Sequence, residues 1–163
     1  MSILIVRVMP EGWNTIKDKV WLLEKKIFGK DAFEDIEELD TFKNSKAYNL
    51  VAYDAGKIIG YLMSQPLNEA GDNHSSIQGR NKIFYLESVG VLKQYRGKGI
   101  GKKLITAYCE FAKTKKYKKL LLDSKEDSMI QLCEYLGFKK LRYNKAHFGI
   151  QGAWIMEKDL GGK

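Results

Sequence analysis

The apolar positions change period several times along the chain, and each change marks an element. Residues 2–8 are rich in Ile and Val and read as a first strand, which Pro10 and Gly12 break. Trp13, Ile16, Val20, Leu23 and Ile27 then recur at three and four residues, the stripe of a helix that Gly29 ends. Asp31 is placed to cap a second helix over about 32–42. Two strands, 48–53 and 57–64, flank the hairpin turn Asp54-Ala55-Gly56. Residues 66–81 are polar and Gly-containing and predict a mobile loop. A fourth strand over 82–91 runs into a Gly-rich turn at 96–101. Leu104, Ile105, Tyr108, Phe111 and Ala112 give the next helix its stripe, and 120–122 make a short buried strand. Met129, Ile130, Leu132, Cys133 and Leu136 mark another helix, with Gly137 at its end. Strands at 139–147 and 153–158 close the chain.

The order is β-α-α-β-β-β-α-β-α-β-β. Its middle β-α-β unit demands two parallel strands, whereas the hairpins demand antiparallel neighbours. The expected class is therefore α/β (α+β): a mixed, mostly antiparallel sheet of about seven strands flanked by about four helices. At 163 residues and 44% hydrophobic content, with no repeat or linker, residues 1–163 read as one domain. No apolar run approaches the ~20 residues that span a bilayer. The first ten residues are too short for a secretion signal, so the expected location is cytoplasmic and membrane-free. Cys109 and Cys133 lack metal-ligand spacing and read as buried hydrophobes, so no metal is expected. Without a secretion signal, the sequon Asn73-His74-Ser75 carries no meaning.

The net charge of +8 is unevenly placed. Residues 31–40 hold six acids and no base; residues 93–103 hold five bases and no acid. A basic chain could bind nucleic acid, but no recognition motif or aromatic-basic strand face accompanies the charge. The basic run coincides instead with the turn Arg96-Gly97-Lys98-Gly99-Ile100-Gly101-Lys102, where a strand ends and a helix begins. Glycines at alternate positions let backbone approach a ligand closely. The free N–H groups at the helix start, with its dipole, favour an anion there. The turn reads as a diphosphate cradle. It is not a P-loop, because Lys103 follows Gly101-Lys102. It is not a dinucleotide fingerprint either, because the spacing is Gly-x-Gly-x-Gly.

Arg96-x-x-Gly99-x-Gly101 does resemble the pyrophosphate motif of the GNAT superfamily of N-acetyltransferases, Arg/Gln-x-x-Gly-x-Gly/Ala. The likeness runs through most of the chain, taking in the hairpin, the strand and turn 83–101, the 132–138 stretch and the ending 153–160. The resemblance implies acetyl-coenzyme A as cosubstrate, held by backbone amides of 96–102. It implies that Val89, Gly90 and Val91 pair with the pantetheine arm as an added strand would. It implies a carboxylate or tyrosine on this strand that takes the amine's proton. By the two-residue period, 85, 87, 89 and 91 share a face, so Glu87 is the expected base and Tyr85 the second choice.

The family's Asn-x-x-Ala-x-x-Leu-Tyr-x-x-x-Gly-Phe is broken here. Leu132, Gly137 and Phe138 match, but Glu126, Met129 and Cys133 replace Asn, Ala and Tyr. Cys133 therefore stands where relatives carry the tyrosine that reprotonates the thiolate. His147-Phe148 stands roughly where peptide-amine members carry two tyrosines, and His147 could relay a proton. The expected function is acetyl transfer to a primary amine: a polyamine, a lysine side chain, a peptide N-terminus or a small amine. The acidic run would favour a cationic acceptor. A non-catalytic acyl-coenzyme A sensor is the first alternative and a basic nucleic-acid-binding protein the second; a homodimer is left open.

Overall fold

The computed structural model describes residues 2–71, 74–147 and 150–161, and only the backbone of 145–147, 150 and 151. The strands are β1 (Ile3–Val8), β2 (Tyr48–Asp54), β3 (Lys57–Pro66), β4 (Ile83–Val91), β5 (Lys119–Ser124), β6 (Lys139–His147) and β7 (Ile150–Asp159). They form one sheet in the order β1-β2-β3-β4-β5-β7-β6. Only β4 and β5 are parallel, joined through α2 (Ile100–Thr114); every other pair is antiparallel. The mixed, mostly antiparallel sheet of seven strands is the one expected.

Helices cover both faces. On one face lie α2 and α3 (Asp127–Tyr135). Phe84 stacks on Tyr108 of α2 with centroids 5.6 Å apart, and the Tyr108 hydroxyl donates to the Phe84 carbonyl at 2.6 Å. On the other face lies α1 (Pro10–Phe28). Its stripe is the expected one, but the helix starts earlier: the strand ends at Val8 as expected, and Pro10 also opens the helix. Proline suits that first position because its missing N–H would have had no helical partner. No described helix is long and apolar enough to cross a membrane.

Two expectations change. The second helix is shortened to 3-10 turns at Gly29–Asp31 and Ile36–Phe42. The reason lies in the segment between them. The Phe33 N–H donates to Glu24 Oε2 at 3.1 Å, and the Phe33 carbonyl accepts from Trp21 Nε1 at 3.2 Å. Both backbone groups are thus spent on α1 side chains, which keeps them out of a helical ladder. Leu39 and Phe42 still anchor the turn in the core, and Trp13 Nε1 donates to the Leu39 carbonyl at 2.7 Å. The loop after β3 is also not loose where it is described. Leu67 and Ala70 are buried, and Arg80 Nη2 donates to the carbonyls of Leu67 (3.0 Å) and Gly71 (2.7 Å).

The feature that positions everything else is a break in register between β3 and β4. Ser64 pairs with Leu86 and Met63 with Ser88, so Glu87 is an extra residue on β4, a β-bulge. On β3, residues 61, 63 and 65 share the α1 face. Their partners Gly90, Ser88 and Tyr85 therefore lie on that face too. Leu86, Val89 and Val91, opposite Ser64, Leu62 and Gly60, lie on the α2 face. The expectation that 85, 87, 89 and 91 share a face is thus wrong. Tyr85 and Glu87 look toward α1; Val89 and Val91 look the other way, because the bulge inserts one residue into the two-residue period.

Beyond the bulge the strands part. β4 pairs with β5 only from Ile83 to Leu86 (opposite Lys119 to Leu122), after which β5 runs on with β7 alone. Among the described residues, the side of β4 away from β3 has no strand neighbour after Leu86. Close packing of α1 sets the limit on the other surface. A Cβ at Gly90 would sit 2.9 Å from Ile27 Cδ1 and 3.0 Å from the Tyr61 ring. Gly90→Ala should therefore destabilise the fold by about 1–3 kcal/mol, the usual cost of overpacking, as read by urea unfolding. An unchanged midpoint would mean that α1 gives way freely.

Candidate active site

The parting strands, the bulge and the start of α2 converge on one region. At the end of β4, Gly97 (φ 76°) and Gly99 (φ 82°) both take left-handed backbone, which explains those two glycines without any packing requirement. Nothing lies within 4 Å of a Cβ built at either, so the turn is open to solvent. Gly99 caps α2, and the first helical hydrogen bond is Lys103 N–H to the Gly99 carbonyl at 3.0 Å. The N–H groups of Ile100, Gly101 and Lys102 precede that bond and point out of the helix start. Arg96 Nε donates to the Val91 carbonyl at 3.0 Å, tying the turn to the strand.

Around the bulge, reaching from the α1 face between the parted strands to Met129 of α3, is a cavity of about 690 Å³. Its wall carries seven carboxyls, from Glu24, Asp31, Glu34, Glu38, Glu87, Asp123 and Glu126, against two ammonium groups, from Lys30 and Lys125. Lys125 is paired with Asp31 across the cavity wall. The acidic run is therefore not merely a solvated surface: Asp31, Glu34 and Glu38 line this space, while Asp40 binds Lys17 at 2.6 Å.

Glu87 is half-buried and accepts from Gln65 Nε2 at 2.7 Å. Asn44 Nδ2 donates to Gln65 Oε1 at 2.8 Å, which turns the NH₂ end of that amide toward Glu87. Tyr85 is buried, and its hydroxyl donates to Asp123 Oδ2. Burial, then the Asp123 charge beside it, pushes the phenol pKa well up. Asp123 also meets His74 Nε2 at 3.0 Å, and His74 lies edge-on to the Tyr85 ring.

Glu24 escapes a reading of the sequence by pattern. It is 3% exposed, in the middle of α1, and it lines the cavity. Ser88 Oγ donates to its Oε1 at 2.6 Å and the Tyr61 hydroxyl at 3.3 Å. Burial raises its pKa above the ordinary value, although Ser88, the Phe33 N–H and Tyr61 favour the charged form. A signal for it exists: residue 24 is four beyond Val20 and three before Ile27, so an acid occupies the apolar stripe itself.

The acetyltransferase (GNAT) family profile matches residues 13–138, well over half of the chain. The chain belongs to the GNAT acetyltransferase family. One relative of this GNAT chain is the glucosamine 6-phosphate N-acetyltransferase of Trypanosoma brucei brucei, 37% identical over 86 residues, which are 52% of each chain. Another is the probable N-acetyltransferase camello of Xenopus tropicalis, 25% identical over 140 residues, 85% of this chain and 58% of that one. The chain thus spans only a little over half the length of these curated relatives. Solved structures share the fold nearly end to end. The ribosomal-protein-S18-alanine N-acetyltransferase of Escherichia coli has a TM-score of 0.76 at 15% identity, covering 98% of this chain and 94% of that one. Arabidopsis thaliana NAA60 in complex with acetyl-CoA has a TM-score of 0.77 at 15% identity, covering 99% and 100%.

Within this GNAT fold, Cys133 stands at the family's usual tyrosine position but is fully buried. Burial, then neighbouring Cys109, pushes its thiol to about 12, so it holds its proton at neutral pH. The side chain of His147 lies outside the described residues. The raised pKa of Glu24 has a consequence for stability. Between its unfolded and folded pKa values the native state binds the extra proton, so stability is full below the ordinary value of 4.5 and declines as pH rises through the folded value. Melting temperatures of the wild type, measured against Glu24→Gln, should fall relative to the variant as pH rises above 4.5. Parallel melting curves across that range would place the Glu24 pKa at its ordinary value.

Proposed function

We propose that this chain transfers an acetyl group from acetyl-coenzyme A to a cationic primary amine. One observation carries the reading: the unpaired side of β4 joins an anion-accepting glycine turn at one end to a carboxyl-lined cavity at the other. The residues present fit the cosubstrate. The backbone of Arg96, Gly97, Lys98, Gly99, Ile100, Gly101 and Lys102 would hold its diphosphate. Val89, Gly90 and Val91 would pair with its extended arm, since their outer edge has no strand on it. The cosubstrate supplies a thioester as acetyl donor.

The remaining chemistry belongs to the chain. A primary ammonium has a pKa of about 10.4 and must lose a proton before its nitrogen can attack. Glu87, oriented by Gln65 at the cavity wall, is the base we propose. Tyr85 is the weaker candidate, because its own proton is engaged by Asp123 and its pKa lies well above 10. Tyr85 serves better as a wall of the cavity. Cys133, buried and protonated, is not suited to protonate the departing thiolate, which leaves water for that task.

The lining also sorts the acceptors. Seven carboxyls against two ammonium groups attract a cation and repel a phosphate. A polyamine, a lysine side chain or a peptide N-terminus fits this charge, whereas the phosphorylated sugar named for the trypanosomal relative does not. The basic run at 93–103 surrounds the glycine turn and serves the cosubstrate rather than a nucleic acid.

Two variants separate the halves of the site. Gly99→Val puts a β-branched residue at φ 82° in the cradle and should weaken coenzyme A binding about tenfold or more by calorimetry. Unchanged affinity in the folded variant would dismiss the cradle. Glu87→Gln keeps the shape and should lower turnover on the order of 10²-fold in a thiol-release assay over an amine panel, with coenzyme affinity unmoved. Near-normal turnover from mildly acidic to mildly basic pH would remove Glu87 as the base.

A further inference from the structure

Glu24 is an expensive residue to bury in a helix whose other inward positions are apolar, and its surroundings go beyond what anchoring α1 requires. Its carboxyl has both oxygens engaged: Oε2 by the Phe33 N–H at 3.1 Å, Oε1 by Ser88 Oγ at 2.6 Å and by the Tyr61 hydroxyl at 3.3 Å. Ser88 is the residue after the bulged Glu87, and the register break is what turns its hydroxyl toward α1. Glu24, Glu87 and Ser88 all line the same cavity. Two carboxyls thus approach one short stretch of β4, Glu87 on the strand itself and Glu24 from the helix above.

We propose that Glu24 is a second proton acceptor of this cavity, acting through the hydroxyl of Ser88. The inference rests on the amine-acetylating reading above and extends it by a count of protons. An ammonium nitrogen that becomes an amide nitrogen sheds two protons, one before attack and one after the carbon–nitrogen bond forms. Glu87 takes one. For the other, an N–H bond of the acceptor breaks as its proton goes to Ser88 Oγ, while the Ser88 hydroxyl proton passes to Glu24 Oε1. Serine is unchanged, Glu24 becomes a carboxylic acid, and it returns the proton to water in the open cavity.

The groups facing Glu24 suit this role. Tyr61 is fully buried, and burial and the Glu24 charge hold its pKa well above 10, so it donates a hydrogen bond without competing for the proton. Glu38, from the Ile36–Phe42 turn, adds negative charge that makes Glu24 more basic. Ser88 and Phe33 counter by stabilising the carboxylate, so the group stays able to ionise despite its burial. The Ser88 contact is short, as expected for a hydroxyl donating to a carboxylate.

The test uses the full chain and two variants. Glu24→Gln preserves the acceptor oxygen for Ser88 but cannot take a proton. It should lower kcat on the order of 10²-fold with acetyl-coenzyme A and the best amine of the panel. The acid limb of its pH profile should move to lower pH, and the KM for the cosubstrate should stay within about twofold. A coenzyme-free readout accompanies it: carbon-13 NMR of glutamate carboxyls should show one group titrating above 4.5, absent in Glu24→Gln and displaced further upward in Ser88→Ala. Ser88→Ala, which opens no large cavity, should reproduce the loss of turnover and keeps the test decisive if Glu24→Gln folds poorly. Full turnover in Ser88→Ala, or in Glu24→Gln with an unshifted acid limb, overturns the proposal. Failure of the wild type to acetylate any amine would instead overturn the functional reading on which it rests.

Discussion

One extra residue in one strand sets the architecture of this site. The bulge at Glu87 bends β4, swaps the faces of the side chains beyond it and ends the pairing with β5 four residues after it began. Without it, Ser88 and Gly90 would turn toward α2 and away from Glu24 and Ile27. The parallel ladder could also run on to Ser124, the last residue of β5, and narrow the opening beside β4. Bulges cost ladder hydrogen bonds and are found where a strand must re-aim a side chain. Here the re-aimed group is a serine that reaches a buried acid.

Around that bulge the molecule keeps two electrostatic territories apart. The start of α2 offers N–H groups and basic side chains to an anion, while the cavity around the bulge offers carboxyls to a cation. The length of β4 from Glu87 to Val91 sets them apart. Each territory would weaken the other if they merged, because opposite fixed charges at short range neutralise what they are meant to attract. The Asp31–Lys125 pair is such a neutralisation on a small scale, at the cavity wall.

Much of this was legible in the residues. Period and turn chemistry placed all seven strands, and the Arg96-x-x-Gly99-x-Gly101 turn fell at the start of α2. What the pattern missed has a common physical cause: it depends on partners distant in sequence. The 32–35 segment is non-helical because Glu24 and Trp21 take the backbone groups of Phe33. The faces of Val89 and Val91 were misjudged because a strand's period says nothing about where its partner will skip a residue. The loop after β3 looked mobile because its anchors, Arg80 to Leu67 and Gly71, are only visible once it folds on itself. Glu24 drew no expectation, although its place in the apolar stripe marked it.

An unpaired strand side is ordinarily a hazard, since it invites the edge of another molecule and with it aggregation. This one lies in the interior of a sheet rather than at its border. β5 is joined to β4 up to Leu86 and diverges only afterwards, so the opening is a wedge closed at one end. Whatever adds to β4 there must lie between it and the diverging β5, so a single extended chain suits the wedge and the edge of a whole foreign sheet does not. The borders of the sheet, β1 and β6, carry no such restriction.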